Sequence, residues 1–223
     1  MGGEEVEEFE QAFARFLGSA GCVGVGNGTD ALTLALRALE LEPGDEVLVP
    51  AFTFFATWES VALAGCQPVA VDIDPESYLI DLEAAARAVG ERTVGMVGVH
   101  LYGCPMAIGA VDAFCREHGL WFVEDAAQAH GATIDGRSVG TLGRLAAWSF
   151  YPSKNLGCFG DGGAVTSDDG QLLERVRRLA NHGQTGRYEH VAVGTNSRLD
   201  ALQAAVLNCR LPLLEGDNRR RAE

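Results

Sequence analysis

The sequence predicts an α/β protein built on one largely parallel sheet with helices on both faces. Two patterns carry that expectation. Strand-like and helix-like segments alternate along the chain, which is how crossover connections build a parallel sheet. The strand-like segments, such as Val47-Leu48-Val49 and Trp121-Phe122-Val123, are continuously apolar, as strands covered on both sides must be. No repeat, linker or low-complexity stretch interrupts the pattern, so residues 1–223 read as a single domain.

Each element follows from its local pattern. Glu4 to Leu17 form an amphipathic helix, because Val6, Phe9, Ala12, Phe13, Phe16 and Leu17 recur at helical spacing. Cys22 to Val25 make a short strand. Gly26-Asn27-Gly28-Thr29-Asp30 then leads into an apolar helix over 31–39. The start of that helix offers free backbone N–H groups to a phosphate, with the Thr29 hydroxyl and the Asp30 amide as donors. An ordinary cap by Thr29 or Asp30 explains the same residues equally well. The glycine spacing does not match the dinucleotide fingerprint. Pro43-Gly44-Asp45 is a turn and 46–50 a strand. Phe52, Phe54 and Phe55 open the next helix, which runs to about 64; one of them could stack on a planar ring, or all three could pack in the core. A strand over 67–73 follows, then a helix capped by Asp81, a strand over 93–101 and a helix over 107–118. The strand over 120–125 ends in Glu124-Asp125, at the sheet edge where α/β proteins bind ligands. Asp125 is therefore either the partner of a ligand cation or a helix cap. A strand over 163–167 precedes a helix capped by Asp168, and a polar loop after Asn181-His182-Gly183 precedes a helix over 201–213. Arg219-Arg220-Arg221 reads as a solvated helix face.

Composition bounds the function. The chain carries 31 Asp plus Glu against 17 Lys plus Arg, a net charge of −14. That argues against nucleic acid and anionic membrane as partners. No apolar run reaches membrane-spanning length, and Glu4, Glu5, Glu7, Glu8 and Glu10 make the N-terminal region unlike a signal sequence, so a cytoplasmic protein is expected. The six cysteines are scattered without a Cys-x-x-Cys pair, so neither a metal site nor a disulfide framework is expected. Cys158, near Lys154, reads as a packing residue.

Lys154 is the single lysine among those 17 basic residues. Arginine cannot replace lysine where a nitrogen must lose its proton and attack a carbonyl. An apolar strand over 145–150 delivers this lysine into a turn, and Gly157, Gly160, Gly162 and Gly163 follow it. The alternative is a leftover surface lysine in an arginine-biased composition.

Several segments in order resemble the DegT/StrS-type family of pyridoxal-phosphate (PLP) aminotransferases, many of which act on nucleotide-linked sugars. They include Gly28-Thr29-Asp30-Ala31-Leu32, Thr53-Phe54 with Ala56-Thr57, and His100-Leu101-Tyr102-Gly103. The most specific are Glu124-Asp125-Ala126-Ala127-Gln128-Ala129-His130-Gly131 and Ser149-Phe150 with Lys154-Asn155-Leu156-Gly157. Gly160-Asp161-Gly162-Gly163, Asn181-His182-Gly183 and Gly194 with Asn196, Arg198 and Leu199 complete the match.

The resemblance implies the large domain of PLP fold type I, the aspartate-aminotransferase-like fold, acting as a homodimer. It implies an enzyme that moves an amino group from a donor, glutamate or glutamine, to a keto group on a nucleotide-linked sugar. Lys154 would hold PLP covalently, and Asp125 would pair with its pyridine nitrogen. Gln128 would contact the ring's phenolic oxygen and Phe54 would stack on the ring. Thr29, the Asp30 amide and Ser149 would bind the phosphate, with Asn196 or Arg198 reaching the neighbouring subunit's phosphate. His182 is a weaker candidate. Family members continue into a small C-terminal domain, so the resemblance also implies a chain cut from a longer protein. A catalytically inactive remnant with a binding or regulatory role is the alternative reading.

Overall fold

The computed structural model describes residues 3–223. The chain runs α1 (Glu4–Leu17), β1 (Gly21–Val25), α2 (Gly28–Ala38), β2 (Glu46–Pro50), α3 (Phe55–Leu63), β3 (Gln67–Val71) and α4 (Leu82–Ala88). It continues with β4 (Thr93–Val99), α5 (Ile108–His118), β5 (Trp121–Asp125), β6 (Thr133–Ile134), β7 (Arg137–Ser138), β8 (Leu145–Ser149), β9 (Gly163–Ser167) and α6 (Gly170–Ala180). β10 (Gln184–Gly186), β11 (Glu189–His190), α7 (Ala201–Arg210) and α8 (Leu214–Ala222) complete it.

Seven strands form the main sheet in the order β1-β9-β8-β5-β4-β2-β3. β9 pairs antiparallel with both its neighbours, and the remaining pairs are parallel, so β9 alone runs against the others. The fold class expected from the apolar strands is the one observed. β5 is the central strand, and its carboxyl tip is Asp125.

Strand periodicity decides which side chains meet which helices. Val123, Leu145 and Ala147 share a core with Ala31, Leu32, Leu34, Ala35 and Val176 of α2 and α6. Their neighbours Phe122, Ala146 and Trp148 point the other way, into a core with α1, α5 and α7. Two residues along from Val123 and Ala147, the same parity puts Asp125 and Ser149 on the α2 side. The connection from β8 back to antiparallel β9 carries Lys154 across that end of the sheet.

Helix α1 is bolted to the strand that delivers the lysine. The Phe13 ring meets Trp148 edge-on at 5.1 Å and Phe150 at 5.4 Å, and Phe9 meets Phe150 at 5.2 Å. Between those rings on the sequence, buried Glu10 accepts from the Gly24 amide at 2.7 Å and pairs with Arg177 at 2.8 Å.

The structure differs from the sequence reading in four places. Asp169, not Asp168, caps α6 through the amides of Gln171 and Leu172; Asp168 instead accepts from Ala20 N at 2.8 Å. The helix expected over 201–213 ends at Arg210 and passes through a 3₁₀ turn containing Pro212 into α8. The expected polar loop contains the β10–β11 hairpin, and 133–138 forms a second small hairpin. Phe52, Phe54 and Phe55 are exposed, so they are not core residues.

Phe13 is fully buried among aromatic partners. Phe13→Ala should therefore cost about 3–5 kcal/mol, measured as a loss of unfolding free energy in chemical denaturation.

Candidate active site

Side chains from five segments converge at the carboxyl end of β5 and β8. The first contact is between α2 and β8. A Cβ on Gly28 would lie 2.7 Å from Ser149 Cβ, so only glycine lets the start of α2 approach the end of β8 this closely. That approach brings the Ser149 side chain to a helix N-terminus.

The cap of α2 corrects one expectation. The Asp30 amide, assigned to a phosphate, donates to Asn27 Oδ1 at 2.8 Å. The Asp30 carboxylate accepts from Ser197 Oγ at 2.6 Å and Asn27 Nδ2 at 3.1 Å. Asn27 is thus the cap that sequence reasoning gave to Thr29 or Asp30. The amides of Gly28 and Thr29, ahead of the first intrahelical bond, are left to face an anion together with the Thr29 hydroxyl.

Asp125 is buried at the tip of β5. Burial pushes its carboxyl above the ordinary range, and the Thr57 hydroxyl, the Ala127 amide, Lys154 and His100 pull it back. Thr57 Oγ1 donates to Asp125 Oδ2 at 2.8 Å, and the Ala127 amide donates to Oδ1 at 3.2 Å. Since the one Thr57 proton goes to Asp125, the 2.9 Å contact between Thr53 and Thr57 has Thr53 as donor. Thr53 and Thr57 sit beside Phe54, which is 70% exposed at the N-cap of α3. Phe54 is therefore available as an aromatic face one turn from the group that holds Asp125.

Lys154 is half-buried, and its amine makes no hydrogen bond or close ion pair among the described residues. Burial lowers its pKa; the Asp125 charge acts in the opposite direction. Lys154 lines a cavity of about 660 Å³ with Tyr102, Gln128, His130, Asn155 and Arg221. Gln128 is fixed there by its Oε1, which accepts from the Tyr102 amide at 2.7 Å, leaving its amide N–H groups to a ligand. Asn155 donates to the His130 carbonyl at 2.7 Å and accepts from His130 Nδ1 at 2.8 Å. His130 is buried and its pKa falls to about 4, so it stays neutral with its proton on Nδ1.

Three residue sets were given no site role from the sequence. His100 and Glu124 form a fully buried pair at 2.9 Å. Glu124 also accepts from the amides of Gly140, Leu142 and Gly143, each at 2.8 Å. His100 Nδ1 accepts from the Met106 amide, so Nε2 carries the proton that goes to Glu124. The His100 amide in turn donates to the Asp125 carbonyl at 3.1 Å. Thr57 is the second set. The third is Asn218 and Arg221 of α8, since Arg221 faces the cavity rather than bulk solvent alone.

Asn196 and Arg198 do not line the Lys154 cavity. Asn196 is exposed, and Arg198 Nη1 donates to Asn181 Oδ1 at 3.0 Å. His182 lies in the same segment, bonded through its amide to the Thr195 carbonyl. Cys158 is buried against the carbonyls of Phe150 and Gly160, as a packing residue.

The model of the DegT/DnrJ/EryC1/StrS aminotransferase family matches residues 1–223. The chain belongs to this family. Among similar members is a dTDP-3-amino-3,4,6-trideoxy-alpha-D-glucose transaminase from Streptomyces venezuelae. It is 49% identical over 220 residues, which are 99% of this chain and 58% of that protein. The crystal structure of S. venezuelae DesV in complex with a ketimine intermediate superposes with a TM-score of 0.95 at 49% identity. The match covers 99% of this chain and 60% of that one. NtdA from Bacillus subtilis with bound cofactor PMP superposes at 0.90 and 33% identity, covering 95% of this chain and 48% of that one. The chain thus spans about 60% of the length of the transaminase it matches. The fold these DegT-family structures share is PLP fold type I, of which this chain covers a part.

Because Lys154 is the only lysine, its amine can be read selectively by NMR after reductive ¹³C-methylation. Its titration midpoint should lie below 10.5, and Asp125→Asn should lower it further by removing the opposing charge. Between its folded and unfolded values the unfolded chain binds more protons, so this group's contribution to stability grows as pH rises through that interval.

Proposed function

We propose that this chain is the cofactor-binding part of a PLP-dependent aminotransferase that aminates a keto group on a nucleotide-linked sugar. The observation that carries the reading is a half-buried lysine, its amine without a partner among the described residues, placed near a buried aspartate at the tip of the central strand. A carboxylate buried there at a cost calls for a cation, and an unpaired amine beside it calls for an electrophilic carbonyl. The close approach at Gly28, the Ser149 side chain and the start of α2 fit a phosphate group. The residues present therefore fit PLP.

PLP, when bound, supplies an electron sink for chemistry at the donor's α-carbon. The protein's own groups do the rest. Lys154 Nζ would hold the cofactor and, once displaced by the donor amine and neutral, would carry a proton from the donor's α-carbon to the cofactor. Asp125 offers its charge to the pyridine nitrogen, and Thr57 keeps that carboxylate ionised and oriented. Gln128 donates from its amide to an oxygen of the ring. Phe54 covers the ring face. Thr29 and Ser149 hold the phosphate with the amides of Gly28 and Thr29.

The donor in this reading is glutamate or glutamine. The functional unit is a cytoplasmic homodimer, in which Asn196 or Arg198 reaches the partner's phosphate. The exposed Tyr188, Val191 and Val193 of the neighbouring segment support a role across an interface.

The test is reduction of the PLP-loaded protein with borohydride, followed by digestion and mass spectrometry. A pyridoxyl adduct on Lys154, absent from a folded Lys154→Ala variant, is the expected result. An unmodified Lys154 in folded protein would sink the assignment.

A second prediction concerns Thr57. Thr57→Val keeps the shape of the side chain but removes the donor to Asp125. Affinity for PLP should fall roughly ten-fold or more, read by fluorescence titration, as expected for losing a hydrogen bond to a charged group.

A further inference from the structure

Helix α8 carries Arg219, Arg220 and Arg221 in succession, and they face different ways. Asn218 fixes the rotation of the helix. Its Nδ2 donates to the His130 carbonyl at 2.8 Å, and its Oδ1 accepts from Asn155 at 3.0 Å. Both partners belong to the lysine site. Residues three and four positions further along a helix share its face. Arg221 and Ala222 accordingly line the Lys154 cavity with Asn218. Arg220 instead pairs with Asp217. Arg221 has no hydrogen bond or ion pair among the described residues.

The charges around this cavity are unlike those of the chain. The protein has a net charge of −14, yet no Asp or Glu lines the cavity. Its two cationic residues are Lys154 and Arg221, and buried His130 is neutral. A cavity of about 660 Å³ whose walls mix polar and apolar groups has room for a polar substrate. A guanidinium presents parallel N–H donors that match two oxygens of a carboxylate or phosphate.

We propose that Arg221 is a substrate-binding residue that takes an oxyanion entering the Lys154 cavity. Two sources share that chemistry: the carboxylate of an amino-acid donor and the diphosphate of a nucleotide-linked acceptor. The assignment rests on the reading of Lys154 as the reacting amine. It implies that α8 contributes recognition as well as support, with Asn218 setting the angle from which Arg221 reaches in.

The experiment compares full-length wild type, Arg221→Gln and Arg220→Gln by calorimetric titration with glutamate and with thymidine diphosphate. Arg221 and Arg220 are both exposed, so each variant should keep the wild-type melting temperature. A ten- to hundred-fold loss of glutamate affinity in Arg221→Gln alone, roughly the worth of a charge-assisted contact, assigns the donor carboxylate. The same loss for thymidine diphosphate alone assigns the acceptor. Equal affinities in all three proteins, or no binding of either ligand to wild type, overturn the proposal. The borohydride adduct on Lys154 is measured alongside. Its absence from wild type would defeat the cofactor reading, whereas an unchanged adduct with unchanged affinities would defeat the Arg221 assignment alone.

Discussion

A carboxylate buried at the tip of the central strand is the constraint on which the site depends. Asp125 occupies a position where ionisation is costly, and the surrounding elements are arranged to offset that cost. α3 is set so that Thr57 donates to one oxygen, and the turn after β5 gives the Ala127 amide to the other. His100 holds the Asp125 backbone from β4's side while its ring is locked to Glu124. These contacts orient the carboxylate but do not neutralise it. A charge held in this way at a ligand-binding edge is poised for a cationic partner.

Glu124 and Asp125 show how one strand serves two purposes. Adjacent residues on a strand point to opposite faces. Glu124 therefore turns into the 140–143 loop, where three amides and the His100 ring N–H satisfy it, and is structural. Asp125 turns toward α2 and α3, where its donors leave it exposed to a further charge. The same alternation sends Trp148 and Phe150 into the rings of α1 and Ser149 toward Gly28. The lysine loop is thereby fixed on one face by packing while it presents chemistry on the other.

Much of this was legible in the sequence because apolar strands and helical spacing are local signals. The strand over 163–167 and the α1 helix fall at their expected bounds. Asp125 and Lys154 stand out as candidates because a strand tip and a lone lysine differ from their surroundings, whereas Gln128 enters only through the family resemblance. Asn27 was not singled out as the cap, since neighbouring Thr29 and Asp30 could also cap by type and only geometry separates them. Thr57 was invisible because its role depends on a partner 68 residues away. Asp168 and Asp169 are adjacent acids, and a one-residue shift in the cap costs the sequence pattern nothing. Arg221 is exposed, as the run of arginines predicts, but the run gives no indication of which member also borders the Lys154 cavity.

The position of Arg221 bears on how an acidic protein handles anions. A net charge sets the long-range field, which is screened over roughly 10 Å at moderate salt. Recognition inside a cavity depends on the groups within a few ångströms. Here 31 carboxylate side chains are kept off the walls of the lysine cavity, and the two cations there lack acidic partners on those walls. Had either been paired, an incoming anion would have had to displace its counter-ion before binding. Arg220 illustrates the difference, since Asp217 already occupies its guanidinium one turn from Arg221. An oxyanion site of the kind proposed for Arg221 can thus coexist with a strongly negative surface, because no acid shares the cavity wall with it.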